Sequence, residues 1–285
     1  MVINLTTKFL PFVDELFTTE SKKALVTTAD AFSWSGAHTI KINMVNTVGM
    51  NDYDRAGTKG TVSRYGEYGV IGNDVVEITL KKDRSFTFVI DKLDRDETQL
   101  VLDGGSALAR QQREVIIPEV DAYVFKTMAE YAGTKVSDVT LTKDNIYTEI
   151  IKGSNVLDNN EVPETRRVLL VPPDTYFLMK QCKDIIMETD IAEDMRLKGV
   201  ISNLDGLTVV KVPKIRLPEN AGFMIAHPSA TVAPTKLEDF TIHQNPPGIS
   251  GELVEGRICY GAFVLENKEK AIYYAENKPA TQSGS

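Results

Sequence analysis

A long glycine-rich stretch between two strand-like runs limits the folds that this chain can adopt. Residues 44–73 read MVNTVGMNDYDRAGTKGTVSRYGEYGVIGN, with charges of both signs among the glycines. The run AHTIKI (37–42) before it and the run DVVEITLKK (74–82) after it have the composition of β-strands. Since an isolated two-stranded ribbon is at best marginally stable in water, the sequence predicts a long hairpin whose partner surface lies elsewhere.

The strand pattern continues beyond the second run. In RSFTFVID (84–91), Phe86, Phe88 and Ile90 alternate with their neighbours along the chain. We therefore expect residues 37–91 to form one extended antiparallel ribbon.

A long helix is predicted after Gly104 and Gly105, where the spacing of apolar residues changes from two to about 3.6. The apolar face consists of Ala109, Ile116, Val120, Val124, Met128 and Tyr131. The polar side consists of Arg110, Arg113, Glu114, Asp121 and Lys126. The helix has about seven turns, and Gly133 is expected to end it in a left-handed conformation. Pro118 is expected to bend or divide it, because proline lacks the backbone N–H donor.

The middle of the chain carries further helix and strand signals. Thr142 predicts the N-cap of a second helix that contains Ile146 and Ile150. The run VLLV (168–171) predicts a buried strand, and Pro173 predicts the first turn of another helix.

The last strand-like pair is GRICYGAFVLENKEKAIYYA (256–275), which predicts a hairpin that turns near Asn267 and Lys268. The tail after it, residues 277–285, is polar and is expected to be disordered.

Composition excludes several classes of protein. The chain has 285 residues and a formal charge of -8, which argues against wrapping of a nucleic acid by the whole surface. The two cysteines, Cys182 and Cys259, are too few for a disulfide framework and indicate a reducing cytoplasm. The N-terminal residues lack the pattern of a secretory signal. No apolar run approaches the ~18 residues that a membrane span needs, so we expect no membrane contact.

Metal sites are not predicted. Asp52, Asp54 and Gly57 resemble the first half of a calcium loop, but Ala56 occupies the third ligand position and Ser63 the twelfth. The histidines, which are His38, His227 and His243, each lack a second ligand at metal-binding spacing.

Catalytic motifs are missing as well. The sequence contains no nucleophile elbow, no phosphate-binding glycine loop and no dinucleotide fingerprint. The sequence therefore predicts no enzyme activity and no cofactor, although an active site assembled from distant residues stays open.

Three stretches resemble the major capsid proteins of tailed bacteriophages. They are DNNEVPETRRVLLVPPDTYFLMK (158–180), GLTVVKVPKIRLP with IAHPSATVAPTKLEDF (206–240), and GELVEGRICYGAFVLENKEKAIY (251–273). The order of arm, ribbon, long helix, α/β segment and final hairpin adds weight, and the resemblance covers residues 25–274 or so. It implies the α+β Hong Kong 97-type capsid fold.

The resemblance also implies the domain organisation. It gives an N-terminal arm (1–35), an extended loop (36–83), a peripheral domain with a spine helix (84–133), an axial domain (134–252), a return hairpin of the peripheral domain (253–276) and the tail.

The implied partners are other copies of the chain, arranged as pentamers and hexamers in an icosahedral shell around double-stranded DNA. Such a shell is assembled in the host cytoplasm, becomes the virion and incorporates a portal protein. Nothing before the arm could act as a fused scaffold, so a separate scaffolding protein is expected, and a decoration protein stays open. The acidic subunit is compatible with enclosing DNA without strong specific binding.

The loop tip is the expected contact with a neighbouring subunit. The charged residues predicted to make this contact are Asp52, Asp54, Arg55, Lys59, Arg64 and Glu67. Some members of the family cross-link a lysine to an asparagine, but no motif supports Lys59 and Asn267 in this role, and no cross-link is expected.

Two other interpretations remain open at this point. An encapsulin-type nanocompartment has the same fold and encloses cargo enzymes. A cytoplasmic α/β enzyme could use the ribbon as a lid over a pocket of titratable groups.

Overall fold

The computed structural model of the chain describes residues 21–28, 39–45, 47–57, 63–97, 104–187 and 203–278. The chain divides into two compact units, which are Trp34–Leu80 and the combination of Met1–Ser33 with Lys81–Ser285. The predicted arm before residue 21 and residues 279–285 of the predicted disordered tail lie outside the described residues. The first two residues of that tail are bonded to the larger unit: the N–H of Asn277 donates to the carbonyl of Asn220 over 2.8 Å, and the N–H of Lys278 donates to the carbonyl of Val139 over 2.9 Å.

The smaller unit contains a two-stranded antiparallel ribbon. Strand β1 (Thr39–Val45) pairs with β2 (Asn73–Thr79), with Thr39 opposite Thr79 and Val45 opposite Asn73. This pairing confirms the predicted hairpin, whose connection is the glycine-rich stretch.

The larger unit begins its regular structure with β3 (Lys82–Asp91) and the helix α1 (Lys92–Glu97). The prediction that β3 continues the ribbon was wrong, because β3 pairs with a strand near the end of the chain. Alternation of side chains identifies a strand but carries no information about which strand it pairs with.

The long helix is present and is interrupted once. Helix α2 (Gly104–Gln111) continues through a π-helical turn (Gln112–Ile116) into α3 (Ile117–Glu130). The interruption ends at Ile116, two residues before Pro118, which confirms that the helix is divided near the proline, whose missing N–H breaks the regular bonding. Gly133 follows the helix without the expected left-handed conformation; the described glycines with positive φ lie elsewhere.

The apolar face of this helix is mostly as predicted. The buried residues of this face include Ile116, Val120, Val124 and Met128. Two residues were assigned to the wrong face of the helix. Tyr131 is half exposed, and Asp121 is completely buried although it was placed on the polar side.

The remaining strands belong to three sheets. Their bounds are β4 (Thr134–Val139), β5 (Val168–Val171), β6 (Asn203–Leu204), β7 (Leu207–Lys211), β8 (Ala221–Ala226), β9 (Thr231–Val232), β10 (Thr235–Gln244), β11 (Gly251–Tyr260), β12 (Phe263–Val264) and β13 (Ile272–Asn277). A six-stranded sheet has the order β4-β13-β8-β5-β7-β6, a three-stranded sheet has the order β10-β11-β3, and β12 pairs with β9.

The predicted hairpin over residues 256–275 is wrong. Its two strands, β11 and β13, lie in different sheets, and the short β12 strand between them pairs with β9. The sequence correctly predicted both strands but not their partners. Strand β11 pairs with β3 and β10, and β13 pairs with β4 and β8.

Three further helices have the bounds α4 (Ile146–Asn159), α5 (Pro173–Gln181) and α6 (Lys183–Met187). The buried strand β5 and the helix that begins at Pro173 confirm the predictions. The predicted N-cap was wrong: Asn145 precedes α4, and its Oδ1 accepts a hydrogen bond of 2.7 Å from the backbone N–H of Thr142.

Two hydrophobic cores hold the larger unit together. One core involves the six-stranded sheet, α4, α5 and the end of α3, where Val124 and Met128 lie. The other lies between the three-stranded sheet and the first part of the helix, where Ile117 and Val120 pack. The long helix therefore contributes its buried face to both cores in succession.

Candidate assembly surfaces

The connection between β1 and β2 is held by hydrogen bonds across its two sides. The N–H of Asp54 donates to the carbonyl of Arg64 over 2.8 Å, and the side-chain amide of Asn51 donates to the carbonyl of Glu67 over 3.2 Å. The N–H of Gly57 donates to Oδ1 of Asp54 over 2.9 Å. Gly57 has a φ of 69°, which glycine adopts without strain. These bonds join the two described sides of the connection, residues 47–57 and 63–72, to each other.

This connection exposes an unusual amount of apolar surface. The exposed residues, which we call the loop apolar set, are Val48, Met50, Tyr53, Tyr65, Tyr68, Val70 and Ile71. The rings of Tyr53 and Tyr65 contact each other edge to face with centroids 5.1 Å apart. Clustered apolar exposure marks an interaction site, and tyrosine and methionine are enriched in protein interfaces.

The charged residues predicted for the loop fall into three groups. Asp52, Arg55, Arg64 and Glu67 are exposed and available to a partner. Asp54 is only 8% exposed, because its carboxylate is used within the turn. Lys59 lies outside the residues that the structure describes.

Sequence reasoning gave the charges the main role and missed the loop apolar set. The signal was the repeated tyrosine beside glycine in RYGEYG (64–69), since aromatic side chains in a polar, glycine-rich loop have little to pack against locally.

The N-terminal segment is attached to the larger unit by a buried carboxylate. Asp121 accepts hydrogen bonds from Oγ of Ser21 at 2.7 Å and from the N–H of Lys22 at 3.1 Å. Its other partner is Arg216, whose Nη1 lies 3.1 Å from Oδ2. Because a buried charge needs partners, this arrangement fixes residues 21–22 beside the turn Lys214–Arg216.

Further contacts extend this attachment to residue 28. The N–H of Thr28 donates to the carbonyl of Thr231 over 3.0 Å, and its hydroxyl donates to the carbonyl of Pro228 over 2.9 Å. Val26 is completely buried in the first core. Burial lowers the pKa of Lys23, an effect that nearby Glu238 and Asp121 partly oppose.

Arg167 explains part of the motif that resembled capsid proteins. Its guanidinium is nearly buried, and Nη1 lies 2.6 Å from Oδ1 of Asp158. Nε donates to the carbonyl of Pro163 over 2.9 Å, and Nη2 donates to the carbonyl of Val162. The side chain therefore binds the end of α4 and the following loop to the start of β5.

The described histidines have local partners. Nδ1 of His227 lies 2.7 Å from Oγ of Ser229, and burial lowers the pKa of His227. Nε2 of His243 lies 3.4 Å from a carboxylate oxygen of Glu255 on the exposed face of the three-stranded sheet. Within the described ranges, no group of three or more histidine, cysteine, aspartate or glutamate side chains is placed to hold a metal ion.

Among the described residues, none of the helices combines the length and the apolar character needed to cross a membrane.

Solved structures define the class of this fold. A structure from Mycobacterium phage Che8 matches with a TM-score of 0.73 and 17% identity, over 90% of this chain and 91% of that chain. The capsid structure of cyanophage P-SCSP1u matches with a TM-score of 0.69 and 16% identity, over 88% of this chain and 86% of that chain. The fold is the α+β Hong Kong 97-type capsid fold.

The same fold occurs in a virus-like particle from Pyrococcus furiosus, with a TM-score of 0.60 and 11% identity, over 96% of this chain and all of that chain (100%). At this identity the likeness concerns the fold alone.

The sequence itself identifies the family. The model of the phage capsid protein family matches residues 73–275, so the chain belongs to this family and is a bacteriophage major capsid protein. A comparison of the sequence with curated proteins finds no significant match. Family membership makes the chain a structural protein of the virion, where copies of it assemble into a shell, and it favours this interpretation over a nanocompartment.

Proposed function

We propose that copies of this chain close as pentamers and hexamers into an icosahedral shell around the double-stranded DNA genome of a tailed bacteriophage, without catalysis. In this shell, the extended loop of each copy contacts the adjacent copy. The observation that carries the proposal is the loop apolar set, seven large apolar side chains exposed on the connection between the two strands of the ribbon.

The physical argument starts from the ribbon's own instability. Two paired strands without a covering layer are marginal in water, and exposed tyrosine and aliphatic side chains add a cost that burial against a partner removes. The exposed charges Asp52, Arg55, Arg64 and Glu67 lie around these side chains and suit a polar rim. A loop that contacts a different surface on the next copy is a heterologous contact, which generates closed rings and lattices.

We assign the parts of the chain as follows. The arm comprises residues 1–35, the extended loop 36–83, the peripheral domain 84–133 with 253–276, and the axial domain 134–252. The compact unit Trp34–Leu80 nearly coincides with the loop, whereas each of the two cores contains residues of both the peripheral and the axial part.

Other partners follow from the role of a shell protein. We assign a separate scaffolding protein, a portal protein and, on some shells, a decoration protein, with assembly in the host cytoplasm. The chain encloses DNA without strong specific binding, which its formal charge of -8 supports.

The experiment is deletion of residues 51–68, which removes the tip and the three tyrosines of the loop apolar set, Tyr53, Tyr65 and Tyr68. The variant is expected to remain a soluble, folded subunit that no longer forms closed shells, because the core of the larger unit is untouched. Electron microscopy and sedimentation velocity of the chain, alone and with its scaffolding protein, measure this. Deletion of residues 279–285 is the control and leaves assembly unchanged. Normal shells from the loop deletion would contradict the proposal.

A further inference from the structure

Two large apolar side chains lie exposed on the larger unit, far along the chain from the loop. Phe177 is 61% exposed and Ile215 is 84% exposed. Phe177 belongs to α5, which follows β5, and Ile215 belongs to the turn Lys214–Arg216, which follows β7. Since β5 and β7 are parallel neighbours, both residues lie at the same end of the six-stranded sheet.

Three lysines lie on the same elements or their neighbours and contact residues next to this pair in the chain. Nζ of Lys214 lies 3.6 Å from a carboxylate oxygen of Asp174 in the first turn of α5. Nζ of Lys180 and Nζ of Lys211 each lie 5.4 Å from the ring centroid of Tyr176. We call Phe177, Ile215, Lys180, Lys211 and Lys214 the lysine-rimmed patch. Its chemistry suits a partner that is both apolar and acidic.

The point where the described chain begins lies next to this patch. Ser21 and Arg216 bind the same buried carboxylate, that of Asp121, and Ile215 precedes Arg216. Ser21, the first described residue, therefore lies close to the turn that carries Ile215. At about 3.3 Å per extended residue, the four residues from Ser21 back to Phe17 reach ~13 Å, which is enough to cross a side-chain cluster of this size.

The composition of residues 1–20 complements the patch. Its large apolar residues include Phe9, Leu10, Phe12, Leu16 and Phe17. Asp14 and Glu15 interrupt them with negative charge. The segment thus offers apolar side chains and negative charge to a patch of exposed apolar side chains and lysines. Tethering at Ser21 gives the segment a high effective concentration at the patch.

We propose that residues 1–20 bind the lysine-rimmed patch of their own chain, with phenylalanine and leucine side chains against Phe177 and Ile215 and with Asp14 and Glu15 beside the lysines. This inference goes beyond the role of the loop in assembly and does not depend on it, since it concerns a single subunit.

The test is hydrogen exchange by mass spectrometry on the full-length chain, at concentrations where sedimentation shows single subunits. Amides of residues 9–17 are expected to exchange at least about tenfold more slowly than an unstructured chain of this sequence. I215D and F177D should raise these rates towards the unstructured value. L93D is the matched control, because Leu93 is 68% exposed on α1, and it should leave the rates unchanged.

A charge exchange separates specific contact from general loosening. K211E combined with K214E should also raise the rates of residues 9–17, and adding D14K with E15K should lower them again. The proposal would be overturned if amides of residues 9–17 in the wild-type chain exchanged as fast as in an unstructured chain. It would also be overturned if these amides stayed fully protected in both I215D and F177D. Protection that disappears on dilution, or patch variants that only block assembly, would overturn it too, because a second copy would then occupy the patch.

Discussion

Gly133, which follows the long helix, lies where a neighbouring backbone leaves no room for a side chain. Its N–H donates to the carbonyl of Glu269 over 2.9 Å. A Cβ built on Gly133 would lie 2.7 Å from the carbonyl carbon and oxygen of Glu269. The close main-chain contact, rather than a left-handed turn, therefore requires glycine here.

We predict that G133A destabilises the subunit by about 1–3 kcal/mol, the usual cost of forcing extra atoms into a packed site. Urea unfolding followed by circular dichroism measures the change. G49A is the control, since an added Cβ at Gly49 meets nothing within 4 Å, and its midpoint should match the wild type. Equal midpoints for G133A and the wild type would show that the backbone of Glu269 moves aside freely.

Asp121 shows what a residue pattern cannot provide. By helical spacing it falls on the polar side, yet it is fully buried, because Ser21 and Lys22 cover it and Arg216 pairs with it. Ser21 lies 100 residues before Asp121 in the chain, and Arg216 lies 95 residues after it. Only the tertiary structure brings these three groups to one carboxylate.

Among the elements, the long helix has the largest structural role, because its buried face belongs to both cores. Val124 is completely buried at the point where the helix enters the first core. Val115 lies on the same helical run but is 45% exposed. The two valines therefore form a matched pair for testing which face is buried.

V124D is expected to abolish folding, since an unpaired buried charge costs several kcal/mol and total stability is about 5–15 kcal/mol. V115D should fold normally, because its carboxylate remains in water. Soluble yield and helical circular dichroism of the two variants measure the difference. A soluble V124D chain with wild-type helicity would mean that the buried face is misassigned.

The elements were predictable from sequence to the extent that their signals are local. Periodicity located the long helix, VLLV located β5, and Pro118 and Pro173 marked the helix division and the helix start. Strand partners were not local: β3 pairs with β11, far along the chain, because both cover the first part of the long helix. The wrong ribbon and the wrong hairpin both arose from assigning the nearest strand as the partner.

The candidate surfaces were predictable only in part. The position of the loop followed from its glycines, and four of its predicted charges are exposed, namely Asp52, Arg55, Arg64 and Glu67. Exposure of the tyrosines depends on how the turn is held, in particular by the bonds of Asp54 and Asn51. Such bonds depend on the three-dimensional path of the loop, which composition does not determine.

At the scale of the whole molecule, the two compact units differ in how they are stabilised. The larger unit has two cores of its own, whereas the smaller unit is a two-stranded ribbon that carries the loop apolar set. In the shell that we propose, each copy provides a surface for the loop of another copy and so covers the ribbon. The binding free energies of many such contacts, each of them weak, add up around a closed lattice.

The most direct measurement is hydrogen exchange of residues 47–57 and 63–72 in free subunits and in assembled shells, with β8, which is buried, as the internal reference. We predict that assembly slows exchange in both loop segments by about tenfold or more, since an adjacent copy buries them, while β8 stays unchanged. Equal loop exchange in free subunits and shells would contradict the account.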